Sequence, residues 1–328
     1  MLNLSEIVNV VKMRNDYIGF HRSEKKWLQT GSIALLVYRL TFCRLIDSRT
    51  CKRFLVNASG HVTRYVSDYD GHWNNFERRL KAEVFTLKWL KDYWQIIKAN
   101  RPRTLLEYLL VFEFLWVKKN LDNISCHELL YNGLQDRMSF YLSHYCSVRK
   151  IEYGIYQHGS LSMLIIDFPK VRVHSFYYYI PESVNYIGQV AVVEKAKIFI
   201  KRKSDLLSCS AFSNTIAVCT QPWNEKLNRS MITTALEISA KVILYRHPRD
   251  VFSYQDLGVK EEEFRYRDHK VIIMRYSSLY VDYRLAKRNV LIYDVDGIDS
   301  DILRETRREN CFTDIAQLKE VATRYFNE

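Results

Sequence analysis

At 328 residues, with 48% hydrophobic and 26% charged side chains, the chain has the size and make-up of a two-domain globular protein, which excludes a disordered or low-complexity one. Forty-nine lysines and arginines against 37 acidic residues leave a formal charge of +12. That excess favours phosphate-rich partners (nucleotides, nucleic acid or an anionic membrane face) without choosing among them, and a merely basic soluble protein would look the same.

The seven cysteines are odd in number and form no C-x-x-C pair. They argue against a disulfide framework or a zinc site and suit a reducing compartment. Residues 1–11 lack the basic region and apolar run of a signal peptide. The most apolar stretches, Ile33 to Ile46 and Leu105 to Val117, are short and interrupted by Arg39, Arg44, Glu107 and Glu113. Neither suits a bilayer span, so a soluble, cytoplasmic chain is expected.

The first hundred residues read as mainly helical, with short strands at Phe54 to Val56 and Val62 to Val66 around Ser59-Gly60. From Trp73 to Ala99 apolar residues return at spacings of three and four, which predicts a helix broken at Pro102. Glu128 to Asn132 reads as a buried strand, Gln135 to Ser147 as a helix and Tyr153 to Tyr156 as a second strand. A βαβ unit of this length requires parallel strands.

Residues 160–205 hold Pro169, Pro181, the run Tyr177-Tyr178-Tyr179 and a basic helix-like stretch from Val192 to Lys203, and read as an interdomain region. Strands follow at 215–219, 242–245, 271–274 and 290–293, with helices at 225–239 and from Ser277-Ser278 to Leu285. This alternation predicts an α/β, doubly wound parallel sheet whose ligands bind beyond the carboxyl ends of the strands. The expected domains are 1–170 on the acceptor side, 171–205 between, and 206–328 for a nucleotide donor. No tandem repeat, G-x-G-x-x-G or Walker loop occurs.

Three polar clusters sit at strand ends: Gln157-His158-Gly159, Arg246-His247-Pro248-Arg249 and Ser277-Ser278. Serine hydroxyls and free N–H groups at a helix start suit a phosphate, although a plain N-cap reads the same. His247 between Arg246 and Arg249 offers donors and positive charge to a leaving nucleotide phosphate. His158 could take a proton from an acceptor hydroxyl, with Gly159 permitting close approach of the backbone. A turn or capping role is the alternative for either histidine.

The order Q-H-G, R-H-P, S-S resembles bacterial GT-B-type glycosyltransferases of capsule, O-antigen and teichoic-acid pathways. That broad group includes capsular Kdo transferases, polysialyltransferases and teichoic-acid polyol-phosphate transferases. The resemblance spans roughly residues 125–320. It implies two Rossmann-like domains with parallel sheets facing across a cleft, the C-terminal one holding the donor. His247, Ser277 and Ser278 would contact its nucleotide or phosphate, and His158 would stand at the reaction centre. No metal or other cofactor is expected, in keeping with the absent D-x-D motif.

Where such enzymes often carry a glutamate after the serine pair, this chain has Asp282 and Tyr283. The nearest match to an acidic pair before glycine is Asp68-Tyr69-Asp70-Gly71. Asp70 is therefore a rival to His158 as base, with a plain Asp-Gly turn as the other reading.

The expected partners are a nucleotide-sugar donor, CMP-sugar favoured and UDP-sugar possible, and a glycan or lipid-linked glycan acceptor. Arg78, Lys81, Lys88, Lys91 and Lys98, mixed with Trp89 and Trp94, could hold a helix against the inner face of the membrane, or simply form a solvated basic face. Two rivals stay open: a CDP-polyol phosphotransferase, and a non-catalytic basic module binding nucleic acid or polysaccharide. Missing nucleic-acid motifs weigh against the last. Tyr177 to Tyr179 could stack on a sugar or simply pack, and Asp136 suits the first turn of its helix.

Overall fold

The computed structural model describes residues 2–18, 42–44, 49–56, 69–72, 82–84, 87–134, 136–157, 161, 168–200, 213–222, 224–247, 250–264, 269–275, 277, 279–295 and 310–328. The chain forms two compact units. One comprises Met1–His158, Leu164–Tyr178 and Ile187–Ile200; the other comprises Gly159–Met163, Tyr179–Tyr186 and Lys201–Glu328.

The first unit begins with helix α1 (Leu4–Ile18), followed by the short antiparallel pair β1 (Phe42–Arg44) and β4 (Ala82–Val84). Its main sheet contains β2 (Arg49–Val56), β3 (Tyr69–His72), β5 (Ile124–Tyr131), β6 (Glu152–Tyr156), β7 (Val171–Tyr178) and β8 (Ala191–Phe199). They lie in the order β3-β2-β5-β6-β7-β8, every neighbouring pair parallel. The helices are α2 (Leu87–Asn100), α3 (Leu105–Leu121), α4 (Arg137–Arg149) and, from Ile187 onward, the end of the short α5 (Val184–Val190).

The expected βαβ unit is β5-α4-β6, with parallel strands. Asp136 caps α4: its Oδ1 accepts from the Ser139 N–H at 2.9 Å, and its Oδ2 accepts from the Tyr131 hydroxyl at 2.6 Å. The apolar run from Leu105 is α3, a core helix opened by a capping box in which Thr104 and Glu107 exchange side-chain and backbone bonds. Its ion pair to α4 joins a buried carboxylate to a half-buried arginine: Arg137 grips Glu113 through two bonds of 2.6 and 2.9 Å, and the Tyr141 hydroxyl adds a third donor at 3.1 Å.

Several local expectations need correction. The stretch from Val192 is a strand, β8, because Val192, Val193 and Ile198 are β-branched and the burial there does not follow a helical period. Strands β7 and β8 complete the first sheet, although residues 171–205 read as interdomain. In place of one helix from Trp73, strand β4 precedes α2, which starts at Leu87; residues 73–81 and 62–66 lie outside the described residues. Asp70-Gly71 lies within β3, not in a turn.

A polar triad bridges the first sheet. Glu128 on β5 accepts from Arg53 Nε on β2 at 2.7 Å and from the Tyr177 hydroxyl on β7. Tyr177 reaches Glu128 over β6 because residue 154 is glycine. A Cβ there would stand 2.6 Å from Leu130 Cδ2, 3.0 Å from the Tyr177 ring and 3.1 Å from Glu128 Oε1.

The second unit holds β9 (Ser213–Cys219), α6 (Glu225–Ile238), β10 (Val242–Tyr245), β11 (Lys260–Glu262), β12 (His269–Met274), α7 (Leu279–Leu285), β13 (Val290–Tyr293), β14 (Cys311–Phe312) and α8 (Ile315–Asn327). The strands lie in the order β11-β10-β9-β12-β13-β14, all parallel. Counted along this unit, that order is 3-2-1-4-5-6, the doubly wound Rossmann arrangement.

Its core explains the continuous apolar runs of the central strands. Met231, Ile232 and Ala235 of α6, with Leu318 and Ala322 of α8, join Ile216, Val218, Val271, Ile273 and Leu291 in one cluster. Ala217, Ile272 and Ile292, which alternate with these along the strands, are also fully buried, so both faces of the sheet are covered. The chain is thus α/β, with two Rossmann-like parallel sheets.

Candidate functional site

Register brings the strand ends of the second unit to one edge. Tyr245 pairs with Cys219, Cys219 with Met274, and Met274 with Ile292. The residues that follow (Thr220-Gln221, Arg246-His247, Arg275 and Ser277) therefore all emerge at the carboxyl edge of the same sheet. The strand order reverses between β9 and β12, and in open parallel sheets the crevice beyond such a reversal binds ligands. Thr220 and Arg275 flank it directly.

A buried network welds two of these loops together. Thr220 Oγ1 donates to Asp250 Oδ2 at 2.6 Å and accepts from the His247 N–H at 3.2 Å. The Tyr254 hydroxyl donates to Asp250 Oδ2 at 3.0 Å, and the Phe252 N–H donates to Oδ1 at 3.0 Å. Asn228, in the first turns of α6, donates through Nδ2 to the Tyr254 oxygen at 2.9 Å and to the Gln221 carbonyl at 2.7 Å. Its Oδ1 accepts from the Gln221 N–H at 3.2 Å. Burial pushes the Tyr254 phenol above its ordinary range, so it stays a donor.

The four side chains that make this network, Thr220, Asn228, Asp250 and Tyr254, are all buried. Satisfied networks of this kind fix one backbone conformation, because breaking any member strands a buried polar group. The 246–254 loop is thereby tied to the loop after β9. His247 is half-buried on it, and its carbonyl accepts from the Asp250 N–H at 2.8 Å.

Arg246 leans the other way. Its Nε pairs with Glu261 of β11 at 2.8 Å, and its Nη1 donates to the Phe252 carbonyl at 3.2 Å. That ion pair is exposed and worth about 0–1 kcal/mol, so exchanging Glu261 for a phosphate would cost little. Ser277 behaves as a cap: its Oγ accepts from the Leu279 N–H at 3.3 Å and its carbonyl from Tyr280 at 3.0 Å. Pro248, Arg249 and Ser278 lie outside the described residues.

In the first unit, Gln157 is buried and donates its N–H to the Tyr177 carbonyl at 2.8 Å. His158 and Gly159 lie outside the described residues. Asp70 sits on edge strand β3, two intervening strands from β6 and level with about Tyr153, four residues before Gln157, so its backbone is roughly 20 Å from that of Gln157 at ordinary strand spacing and rise. The tyrosine run packs: Tyr177 bonds Glu128, Tyr178 meets Phe199 edge-on at 5.5 Å, and Tyr179 is buried.

Sequence reasoning missed the network and Arg275. Asp250 directly follows the R-H-P-R run, and Arg275 directly follows the apolar strand Val271-Ile272-Ile273-Met274. For Arg275 the available signal was a charged residue abutting a buried strand; for Asp250 it was an acidic residue closing a basic run. Arg275 is fully buried, and its charge opposes the burial that raises the Tyr293 phenol. Asn132, buried just past the end of β5, has an Oδ1 that accepts no hydrogen bond among the described residues. Among the described residues no group of three or more His, Cys, Asp or Glu is arranged to hold a metal ion, and no helix is long and apolar enough to cross a membrane.

No protein-family model matches the chain, and no curated protein matches it. Among solved structures it is similar to the wall teichoic acid polymerase TagF. One TagF structure aligns over 66% of this chain and 68% of that chain at 11% identity, with a TM-score of 0.41. A variant of TagF aligns over 98% of this chain and 92% of that chain at 10% identity, with a TM-score of 0.42.

Proposed function

We propose that the chain is a glycosyltransferase whose second unit binds the nucleotide of an activated sugar donor at the β9/β12 strand reversal. The observation that carries this reading is the 3-2-1-4-5-6 sheet with its reversal flanked by Thr220 and Arg275, and with His247 held alongside by the Asp250 network. Cationic and N–H donors at such an edge suit a diphosphate or monophosphate leaving group. The acceptor hydroxyl would attack the anomeric carbon as the nucleotide phosphate departs. His158, or failing it Asp70, would take the proton. Arg246, His247, Arg249, Ser277 and Ser278 would stabilise the leaving group. A CMP-sugar is the favoured donor and a bacterial surface glycan the favoured acceptor.

Thermal-shift measurements with CMP, CDP, UMP, UDP, GDP and dTDP test the binding step. A ligand at a hundred times its dissociation constant stabilises the fold by about 2.7 kcal/mol. Stabilisation by CMP alone is the expected result, and none by any of the six would remove the nucleotide from the reading. Product mass then separates sugar transfer from polyol-phosphate transfer on the same scaffold, since only the second leaves phosphorus in the new linkage. His247→Ala should abolish transfer with the circular dichroism spectrum unchanged.

A further inference from the structure

Helix α2 has one face committed to α3 and another that is not. Tyr93 stacks on Phe112 with ring centroids 3.7 Å apart, and Asp92 pairs with Lys119. At 3.6 residues per turn, Leu90, Trp94, Lys98 and Lys91 share an arc of about 100° that does not include Tyr93. All four are exposed, Trp94 by 67% and Leu90 by 47%. The connection to α3 adds exposed Arg101 and Arg103, and the first turns of α3 add Leu105 at 69% and Tyr108 at 38%. Four of the nine large apolar side chains exposed among the described residues thus fall within residues 90–108.

The charges of the segment are one-sided. Asp92 is taken up by Lys119, and Glu107 by the capping box. Among the described residues, Lys91, Lys98, Arg101 and Arg103 have no ion-pair partner. An exposed tryptophan and leucines ringed by unpaired cations match an anionic lipid interface: the indole sits at headgroup depth, the alkyl groups just below, and the cations among phosphates. A nucleic acid would use the cations and leave Leu90 and Leu105 in water.

We propose that the α2–α3 hairpin docks on the surface of an anionic phospholipid bilayer through Leu90, Trp94 and Leu105, with Lys91, Lys98, Arg101 and Arg103 on the headgroups. The contact needs no nucleotide and no transfer, so it stands or falls apart from the transferase reading.

The test is co-sedimentation of the full chain with vesicles of equimolar phosphatidylglycerol and phosphatidylcholine, against phosphatidylcholine alone. Binding to the first and not the second is expected, with release at about 0.5 M salt, where the Debye length has shrunk to a few ångströms. Each cation near such a surface is worth roughly fivefold in partitioning. The combined variant Lys91→Gln, Lys98→Gln, Arg101→Gln and Arg103→Gln should therefore lose at least a hundredfold. Leu90→Ser with Trp94→Ser should lose about tenfold or more with all cations present. Because these side chains are exposed, unfolding temperatures should match the unsubstituted protein.

No binding by the unsubstituted protein would overturn the proposal, as would binding that survives either variant. Loss in the charge variant alone would leave a general polyanion surface. A dimer in sedimentation velocity that Trp94→Ser dissociates, without vesicle binding, would give the face to a second copy of the chain.

Discussion

The first unit keeps its buried charges as ion pairs, Arg137 on Glu113 between α3 and α4 and Arg53 on Glu128 across strands. The second unit buries a carboxylate, Asp250, beyond the end of β10 and surrounds it with neutral donors from Thr220, Tyr254, Asn228 and the Phe252 backbone. An ion pair between packed elements fixes those elements. A carboxylate served by backbone and hydroxyl donors fixes a loop, and the loop here carries His247. The contrast separates charge used to join packed elements from charge used to fix a loop at the carboxyl edge of a sheet.

The largest expected effect is in the first unit. Glu113→Ala removes both Arg137 bonds to the carboxylate and leaves the Tyr141 hydroxyl with the Leu110 carbonyl alone, and should cost about 3 kcal/mol, read as a fall in urea midpoint. Asp250→Ala strands the donors of Thr220, Tyr254 and Phe252 and should cost roughly 2–3 kcal/mol. Unlike Glu113→Ala, it should also erase nucleotide-dependent thermal stabilisation, and retention of that shift would break the comparison.

Gly154→Ala drives a methyl group into Leu130, Tyr177 and Glu128 and should cost about 1–3 kcal/mol without touching nucleotide binding. Ser277→Ala removes a cap worth about 1 kcal/mol. If nucleotide stabilisation survives it, Ser277 is a cap and nothing more.

The smallest effect concerns pH. Burial holds the His144 ring below its ordinary range, so the fold favours the neutral form. As pH drops below about 6.5, the unfolded chain takes up this proton first and stability falls. His144→Gln should flatten that part of the acid-side decline in melting temperature.

Much of the second sheet was legible beforehand, because fully buried parallel strands such as Ile216 to Cys219 and Val290 to Tyr293 read as unbroken apolar runs between turn signals. Strand β8 was not, since its lysines hid a β-branched run and a basic segment reads equally as helix. Short edge strands β11 and β14 carry too few residues for any periodicity. At the candidate site the histidine and serine positions stood out by type. The Asp250 network did not, because it joins residues 220, 228, 250 and 254, whose proximity exists only once α6 and both loops are folded.

The position of β9 at the centre of its sheet carries a cost during synthesis. β9 finds its first neighbour, β10, within about 25 residues, but its other flank waits for β12, roughly 55 residues further along the chain. At ordinary translation speeds that interval lasts about 3–11 s, during which an apolar ribbon presents unpaired backbone to the surrounding solution. Nascent chains stalled between residues 250 and 270 are therefore where chaperone capture and aggregation should concentrate.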